Sequence, residues 1–443
     1  MAKQRLRCAA AGLAAVLAVA LVAAGCGSSG TGASSSSSSS TSSGGKVTLT
    51  VWSWVAGLQQ EANAYMKEHP NVTVKVVNVG GGTVEYDKLR VAFQAGSGAP
   101  DITFLSSYAV KSFALANDIV NLDNYGAQKI APTQTTFSWD AGLVGNGAYY
   151  VPAGFGPMAY FYRADIFAKY HITVPTTWAQ FAADAAKLHK ADPGVYLSSL
   201  PGSTNYLGVL WQGGQQPFQT SGTKVAINWD DAAAMKVSSY WQGLLDSHLL
   251  SPVPELTSQW ESAIANGSIA SLVGAAWYPL LLEPSVPGQA GKWRVALLPQ
   301  WQAGQNASAD SGMSGYAVTK QSANQQAAAN FLYWLNASAQ GVGMLQKIQS
   351  QFPTYKPLLD SPALLNEKSS YFGNEEINRV FNTSGAGIST AYDYGPFGDY
   401  VATEVTDDVS RAETGAITLP AAMTQLQTQF VTYAKSEGFT VSS

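Results

Sequence analysis

The chain carries few residues in the spacings that acid–base or nucleophilic catalysis requires. Its histidines are only four and stand isolated near predicted helix ends, at His69, His171, His189 and His248. The segment Gly312–Gly315 has the wrong spacing for a nucleophile elbow, no His-Glu-x-x-His sequence occurs, and Gly80–Gly82 lacks the Lys-Ser/Thr ending of a phosphate-binding loop. A glycoside hydrolase stays open as an alternative, because it needs only two carboxylates and a chain with 29 acidic residues always contains such pairs. We predict no catalytic residue, no metal site and no cofactor.

Aromatic and uncharged polar side chains are the stronger candidates for a functional site. Charged residues form 12% of the chain, which holds 12 tryptophans and 21 tyrosines, and its net charge of −4 argues against a nucleic-acid partner. Aromatic rings stack on apolar faces while neutral polar groups bind hydroxyls, which suits a neutral, hydroxylated ligand better than a charged one. The candidate rings are Trp54, Tyr108, Phe155, Trp277 and Tyr278. Aromatic residues also fill protein cores, so each ring has a packing alternative.

A predicted βαβ unit positions the first of these rings. The segments Val47–Trp52 and Val72–Val79 have the composition of strands and flank an apolar stripe of helical period, which favours a parallel pair with one covering helix. A third strand is predicted at Ile102–Leu105. Ligands of open α/β sheets bind beyond the carboxyl ends of the strands, so Trp54 and Ser106–Tyr108 are predicted to share one sheet edge.

The remaining length predicts more strands and helices, enough for two α/β lobes. Thr177 with Gln180, and Ser322 with Gln325, form capping-box patterns ahead of apolar helical stretches. Further strands are predicted at Met158–Tyr162, Ile269–Ala275, Trp293–Leu298 and Gly315–Thr319.

The N-terminus has the pattern of an export signal. Basic residues precede the apolar run Ala9–Ala24, and Val22–Cys26 resembles a bacterial lipobox, so residues 1–25 are predicted to be removed and Cys26 to carry the lipid. Ordinary signal-peptidase cleavage is the alternative. The Ser/Gly-rich residues 26–45 cannot bury a core and are predicted to be a tether that holds the protein on the outer face of the membrane.

Several ordered segments carry a family resemblance. The most specific runs from Tyr86–Leu89 to Ala95–Ile102. The others, in the same order as in the family, are Val151–Gly154 leading to Tyr162–Phe167, Val174–Trp178, Asn266–Ala270 and Ser314–Val318. On these segments the chain resembles the family 1 extracellular solute-binding proteins of ABC importers, relatives of the maltose-binding fold.

This resemblance implies an α/β, two-lobed, periplasmic-binding-protein-like fold of type II, with discontinuous lobes and a hinge cleft. The first lobe is expected at residues 46–156 plus 300–357, and the second at 157–299 plus 358–443. The implied function is to capture a sugar or oligosaccharide in the cleft and deliver it to the membrane permease subunits. A cytoplasmic ATPase is the implied third partner of this importer. We expect a monomer that reaches the membrane through its lipid anchor.

The resemblance also implies binding residues. Trp277 ends the apolar run at which the family presents a ring to the cleft, and Phe155 lies at the first crossover between lobes. Ser107 and the Gly312–Ser314 loop would offer hydroxyl or backbone groups, and Tyr394 would close the cleft from below. The predicted ligand-binding set is Trp54, Ser107, Tyr108, Phe155, Trp277, Tyr278, Gly312, Ser314 and Tyr394.

Other functions stay open within and beyond this fold. Relatives of the architecture bind polyamines, amino acids or iron, and Tyr149 with Tyr150 could suggest an iron site. Adjacent strand residues face opposite sides, so that pair cannot chelate one ion together. A secreted glycoside hydrolase and a structural or adhesive protein are the less favoured alternatives.

Overall fold

The computed structural model describes residues 45–349 and 351–442. The predicted lipidation site Cys26 and the predicted signal sequence lie outside these residues. Among the described helices, none is long and apolar enough to cross a membrane.

Strands and helices alternate along most of the chain. The strands are β1 (Val47–Trp52), β2 (Val72–Val77), β3 (Ile102–Ser106), β4 (Leu143–Val144), β5 (Gly147–Ala148), β6 (Val151–Gly154), β7 (Met158–Arg163), β8 (Phe218–Ser221), β9 (Lys224–Ile227), β10 (Ser271–Ala275), β11 (Trp293–Ala296), β12 (Ser314–Val318) and β13 (Thr440–Ser442). The helices of the first half are α1 (Leu58–Glu68), α2 (Thr83–Gln94), α3 (Ser107–Leu115), α4 (Thr136–Asp140), α5 (Ala164–Lys169), α6 (Trp178–Ala191), α7 (Ser203–Gln212) and α8 (Ala232–Asp246). Those of the second half are α9 (Ser258–Asn266), α10 (Tyr278–Ser285), α11 (Gln325–Ala337), α12 (Ala339–Gln349), α13 (Lys356–Leu359), α14 (Pro362–Leu365), α15 (Ile377–Gly385), α16 (Gly398–Glu413) and α17 (Leu419–Ser436).

The largest sheet of the described residues has five strands in the order β2-β1-β3-β12-β6. Strand β1 pairs in parallel with both β2 and β3, which confirms the predicted βαβ unit. Strand β12 returns from far along the chain and pairs antiparallel with β3 and β6. The sheet is therefore built from two separate stretches of sequence.

Three further sheets complete the described structure. Strands β10, β7 and β11 form an antiparallel sheet with β7 in the centre, which includes three of the predicted strands. Strands β13, β9 and β8 form another three-stranded sheet, and β4 pairs with β5.

Buried side chains gather around the two main sheets separately. On the five-stranded sheet, Phe104 faces a core shared with α1 and α11, while its neighbour Leu105 faces α2 and α3, as strand alternation requires. The residues of these cores fall within 49–153 and 316–345. A larger core around β7 draws its residues from 155–313 and 352–434.

The chain therefore passes between the first and second cores three times. Ala309 and Met313 pack in the second core, although the predicted boundaries assign residues 300–357 to the first lobe. The exact lobe boundaries stay a prediction.

One of the two predicted capping boxes is present. Thr177 Oγ1 accepts a hydrogen bond from the Gln180 backbone N–H at 3.2 Å, and the Gln180 side chain bonds back to the Thr177 N–H, so α6 begins as predicted. Helix α11 instead begins at Gln325 with Asn324 as its cap. Ser322 Oγ accepts a hydrogen bond from the Asn324 backbone N–H at 3.1 Å instead of from Gln325, and its O–H donates to Asp101 Oδ1 at 2.5 Å.

Candidate functional site

Four chain segments meet at one edge of the five-stranded sheet. Strands β1 and β3 are parallel neighbours. Trp54 follows the end of β1 and Ser106 ends β3, so both lie at the same edge of the sheet, as predicted. Antiparallel β12 begins at this edge, where Ser314 pairs with Ser106, and β6 ends here, where Gly154 pairs with Ser314. The sheet order thus brings Trp54, Ser314 and the residue after Gly154, which is Phe155, towards one site.

Trp54 is held at this edge by edge-on ring contacts. Its centroid lies 4.8 Å from that of Phe104 and 6.1 Å from that of Tyr86. Gly81 of the triple-glycine loop approaches so closely that a Cβ there would stand 3.2 Å from Trp54 Cγ. These contacts fix the indole while leaving it only half-buried.

Trp277 approaches the same site from the second core. It follows β10 as the cap of α10 and is half-buried. Its indole Nε1 donates to the Ser311 carbonyl oxygen at 2.9 Å. Gly312 has a φ of 115°, and a Cβ there would lie 3.1 Å from Trp277 Nε1, so a larger residue would strain the backbone and crowd the indole.

These residues surround a cavity of about 600 Å³ between the two cores, the central cavity. Five of the nine predicted binding residues line it, namely Trp54, Phe155, Trp277, Gly312 and Ser314. Ser106, predicted at this sheet edge but not in the binding set, lines it as well. The lining residues that the sequence did not predict are Val55, Ala56, Phe104, Gly154, Leu280, Ile348, Gln349, Gln351 and Phe352. Every described residue of this lining is uncharged. Of those missed, Leu280 had a usable signal, because it stands three positions after Trp277 on a helix.

Three other predicted residues line a second space, the side cavity, of about 230 Å³. Here Ser107, Tyr108 and Tyr394 meet Trp211, and Lys111 forms an ion pair with Asp393. The rings of Tyr108 and Tyr394 are 6.1 Å apart. The structure therefore separates these three residues from the central set.

Tyr278 lines neither cavity, which corrects its place in the predicted set. Its side chain is 0% exposed and stacks at 5.3 Å on Phe161 in the second core. Successive residues at the start of a helix point in directions about 100° apart, and here Trp277 points to the cavity while Tyr278 points into the second core.

The Tyr278 hydroxyl instead belongs to a buried polar network behind Trp277. Asn205 Nδ2 donates to this hydroxyl at 2.7 Å and to Glu255 Oε2 at 3.2 Å. Asn205 Oδ1 accepts from Ser311 Oγ at 2.9 Å, and Ser311 is the residue whose carbonyl holds Trp277. Burial raises the pKa of Glu255 to about 7.

The carboxylate of Asp310 bonds to two of the chain segments that pass between the cores, and this arrangement is called the Asp310 clasp. Asp310 Oδ1 accepts from the Gly156 backbone N–H at 2.7 Å, and Oδ2 accepts from that of Met313 at 2.9 Å. Burial raises the pKa of Asp310 to about 6. A Cβ on Gly156 would lie 2.1 Å from the Ser311 carbonyl oxygen, so the two passages touch backbone to backbone.

The described residues contain no group of three or more His, Cys, Asp or Glu side chains placed to hold a metal ion. The site therefore offers aromatic, amide, hydroxyl and backbone groups. Such groups can bind a ligand through ring stacking and hydrogen bonds.

Comparisons with known proteins agree with this architecture. Residues 52–342 match the family model described as bacterial extracellular solute-binding protein. The lactose-binding protein of Rhizobium radiobacter is 24% identical over 81% of this chain and 86% of its own length.

Two solved structures resemble the chain over most of its length. The ABC-transporter-associated binding protein of B. animalis subsp. lactis Bl-04, in complex with beta-1,6-galactobiose, is 31% identical with a TM-score of 0.80 and covers 89% of this chain and 99% of its own. The galacto-N-biose-/lacto-N-biose I-binding protein of Bifidobacterium longum gives a TM-score of 0.80 at 24% identity and covers 90% of this chain and 100% of its own. The fold is thus the two-lobed α/β fold of type II periplasmic binding proteins, as predicted. The chain belongs to the family of bacterial extracellular solute-binding proteins.

Proposed function

We propose that this protein captures a neutral sugar or short oligosaccharide in the central cavity and delivers it to the permease of an ABC importer. The observation that carries the proposal is a lining whose described residues are all uncharged and which has an indole on each side, Trp54 from the first core and Trp277 from the second. Sugars present apolar ring faces and hydroxyl edges, which such a lining matches. The relatives named for lactose, galactobiose and lacto-N-biose support the same ligand class.

The alternative ligands would need different side chains. A polyamine or an amino acid would require charged partners, and iron would require oxygen or imidazole ligands. A glycoside hydrolase would need two carboxylates flanking its bond. None of the described residues that line the central cavity carries a charge, so the cavity favours binding of a neutral solute without chemistry.

Closure of the two lobes is the proposed mechanism. The first lobe is taken as residues 46–156 plus 300–357 and the second as 157–299 plus 358–443, with the Asp310 clasp at the hinge. A ligand that touches Trp54 and Trp277 together stabilises the closed form, because the open form offers only one of the two contacts. The closed protein would dock as a monomer on the permease, with its lipid on Cys26 holding it at the outer face of the membrane.

Thermal unfolding against a panel of solutes tests the proposal. A sugar at about a hundredfold its dissociation constant raises the free energy of unfolding by roughly 2.7 kcal/mol. The Trp277→Ala variant is expected to bind that sugar about thirtyfold more weakly, because truncating a central aromatic contact costs about 2 kcal/mol.

The matched control is Trp334→Ala, since Trp334 is also half-buried but lines neither cavity. This variant is expected to keep the affinity of the unmodified protein. If a polyamine, an amino acid or ferric citrate raised the melting temperature while no sugar did, the proposed ligand class would be refuted.

A further inference from the structure

Another space, the outer cavity, of about 480 Å³, lies next to the central cavity. The two share Leu280, Gln351 and Phe352 as lining residues. Each volume lies within the range of about 300–1,000 Å³ that small-molecule sites occupy. The two cavities therefore adjoin at these three residues, and together they are called the groove.

Helix α10 forms a continuous wall along this groove. Trp277 lies in the central cavity, Leu280 in both, and Glu283 and Pro284 in the outer cavity. Residues three and four apart lie on one face of a helix, and the step from Trp277 to Pro284 rises about 10 Å. That distance exceeds the length of a single sugar ring.

Leu280 marks the junction between the two cavities. Its side chain is 43% exposed, one of the few large apolar side chains of the described residues that remain so open. An exposed leucine between two hollows offers an apolar surface to a ligand that runs past it.

The outer cavity has a different chemistry from the central one. Phe352 and Phe381 give it an apolar base, with ring centroids 5.7 Å apart. Exposed Glu283, Lys368 and Ser370 line its rim. Such a rim can exchange hydrogen bonds with hydroxyl groups while remaining partly in water.

We propose that the outer cavity is a subsite for additional sugar units, and that the protein prefers an oligosaccharide of three or more units to a disaccharide. This inference rests on the proposed function of the central cavity. One end of the ligand would lie between Trp54 and Trp277, and the chain would continue past Leu280 towards Ser370.

Isothermal titration calorimetry with sugars of increasing length tests the subsite. The probes are galacto-, arabino- and malto-oligosaccharides of one to five units, and the comparison is made within the series whose disaccharide binds. The unmodified protein is expected to bind the trimer or tetramer at least tenfold more tightly than the dimer.

The Ser370→Trp variant fills the outer cavity, so it is expected to lose that gain while keeping the affinity for the dimer. Ser410→Trp is the matched control, since Ser410 is exposed on α16 and lines neither cavity. If Ser370→Trp does not fold, Glu283→Ala, which removes one rim group, is expected to weaken the longer sugars severalfold and leave the dimer unchanged.

The outcomes separate this inference from the proposed function. Equal affinities for dimer and longer sugars in the unmodified protein would overturn the subsite and leave sugar capture intact. A length preference that survives both Ser370→Trp and Glu283→Ala would also overturn it. Absence of binding by any sugar would overturn the proposed function itself.

Discussion

The central and side cavities both lie between the two cores and both are lined by aromatic rings, but the rings are used differently. In the side cavity Trp211 and Tyr392 stack on each other at 4.4 Å with 13° between their planes, and Tyr394 packs 5.2 Å from Tyr392. In the central cavity Trp54 makes edge contacts with Phe104 and Tyr86, and Trp277 lines the same space from the second core. Stacked rings cover part of each other's faces and so contribute mainly to stability, whereas a half-buried ring held by edge contacts keeps more of its surface available to a ligand.

The two cavities also differ in charge. The side cavity contains the ion pair of Lys111 with Asp393, which joins α3 to the segment before α16. Near the central cavity, the carboxyl group of Glu255 is buried behind Trp277 in a hydrogen-bond network. The central cavity therefore presents neutral groups, while the side cavity is held partly by electrostatic attraction.

The largest expected effect follows from truncating the stacked ring of the side cavity. Trp211 is 3% exposed and its Nε1 donates to the Ser389 carbonyl oxygen at 3.1 Å. Trp211→Ala is expected to lower the free energy of unfolding by about 3–5 kcal/mol, because it leaves a hole in a packed core. Urea unfolding measures this loss, and sugar affinity measured well below the melting temperature is expected to stay unchanged.

Trp277→Ala is the counterpart, with a large loss of affinity and a smaller loss of stability. The comparison would break if Trp211→Ala abolished sugar binding while unfolding at the same urea concentration as the unmodified protein. The side cavity would then be the ligand site.

The next effect concerns the carboxyl group behind Trp277. Burial raises the folded-state pKa of Glu255 to about 7 from its usual value of 4.5, so the folded protein holds a proton that the unfolded chain releases between these pH values. Its contribution to stability is thus present below pH 4.5 and is lost as pH rises towards 7. Glu255→Gln removes this titration and is expected to flatten the decline in unfolding free energy by up to about 1.4 kcal/mol per pH unit.

Urea unfolding at intervals between pH 4.5 and 8 measures the slope. Some decline is expected to remain in the variant, because burial also raises the pKa of Glu61, Glu85 and Glu413 to about 7. Glu437→Gln, at an exposed position, controls for the loss of one carboxylate. An unchanged slope in Glu255→Gln would mean that Glu255 is already ionised behind the central cavity.

Local sequence patterns predicted the sheet edge but not every residue that faces it. Alternating strands and the rule of carboxyl ends placed Trp54 correctly at the edge, since strand direction depends on short-range pattern and connection length. Tyr278 was misplaced because the pattern around a helix start does not reveal which of two adjacent rings points inwards. Gln351 and Phe352 were missed because the third passage between the cores has no sequence signature of its own. It lies against the first passage, where the Phe155 N–H donates to the Phe352 carbonyl oxygen at 3.1 Å.

The hydrogen bond of Ser322 shows the same limit in a smaller case. Its spacing to Gln325 predicted a capping box, but Ser322 Oγ accepts from the Asn324 N–H, and its O–H donates to Asp101, more than two hundred residues away in sequence. Local patterns describe what a residue can do, and tertiary contacts decide between its options.

The smallest expected effect concerns the ion pair of the side cavity. The side chains of Lys111 and Asp393 are 26% and 20% exposed, so water and salt screen their attraction only in part. Lys111→Met is expected to lower the free energy of unfolding by less than about 1 kcal/mol, and the difference from the unmodified protein should shrink between about 0.05 M and 1 M NaCl. Lys190→Met, at an exposed position on α6, is the control for replacing a lysine.

Sugar affinity is expected to be the same in both lysine variants, because neither residue borders the central cavity. A loss of sugar binding in Lys111→Met alone would show that the ion pair sets the lobe arrangement that the ligand requires. The contrast between a ligand-binding and a purely structural cavity would then give way to one in which the side cavity controls closure of the central one.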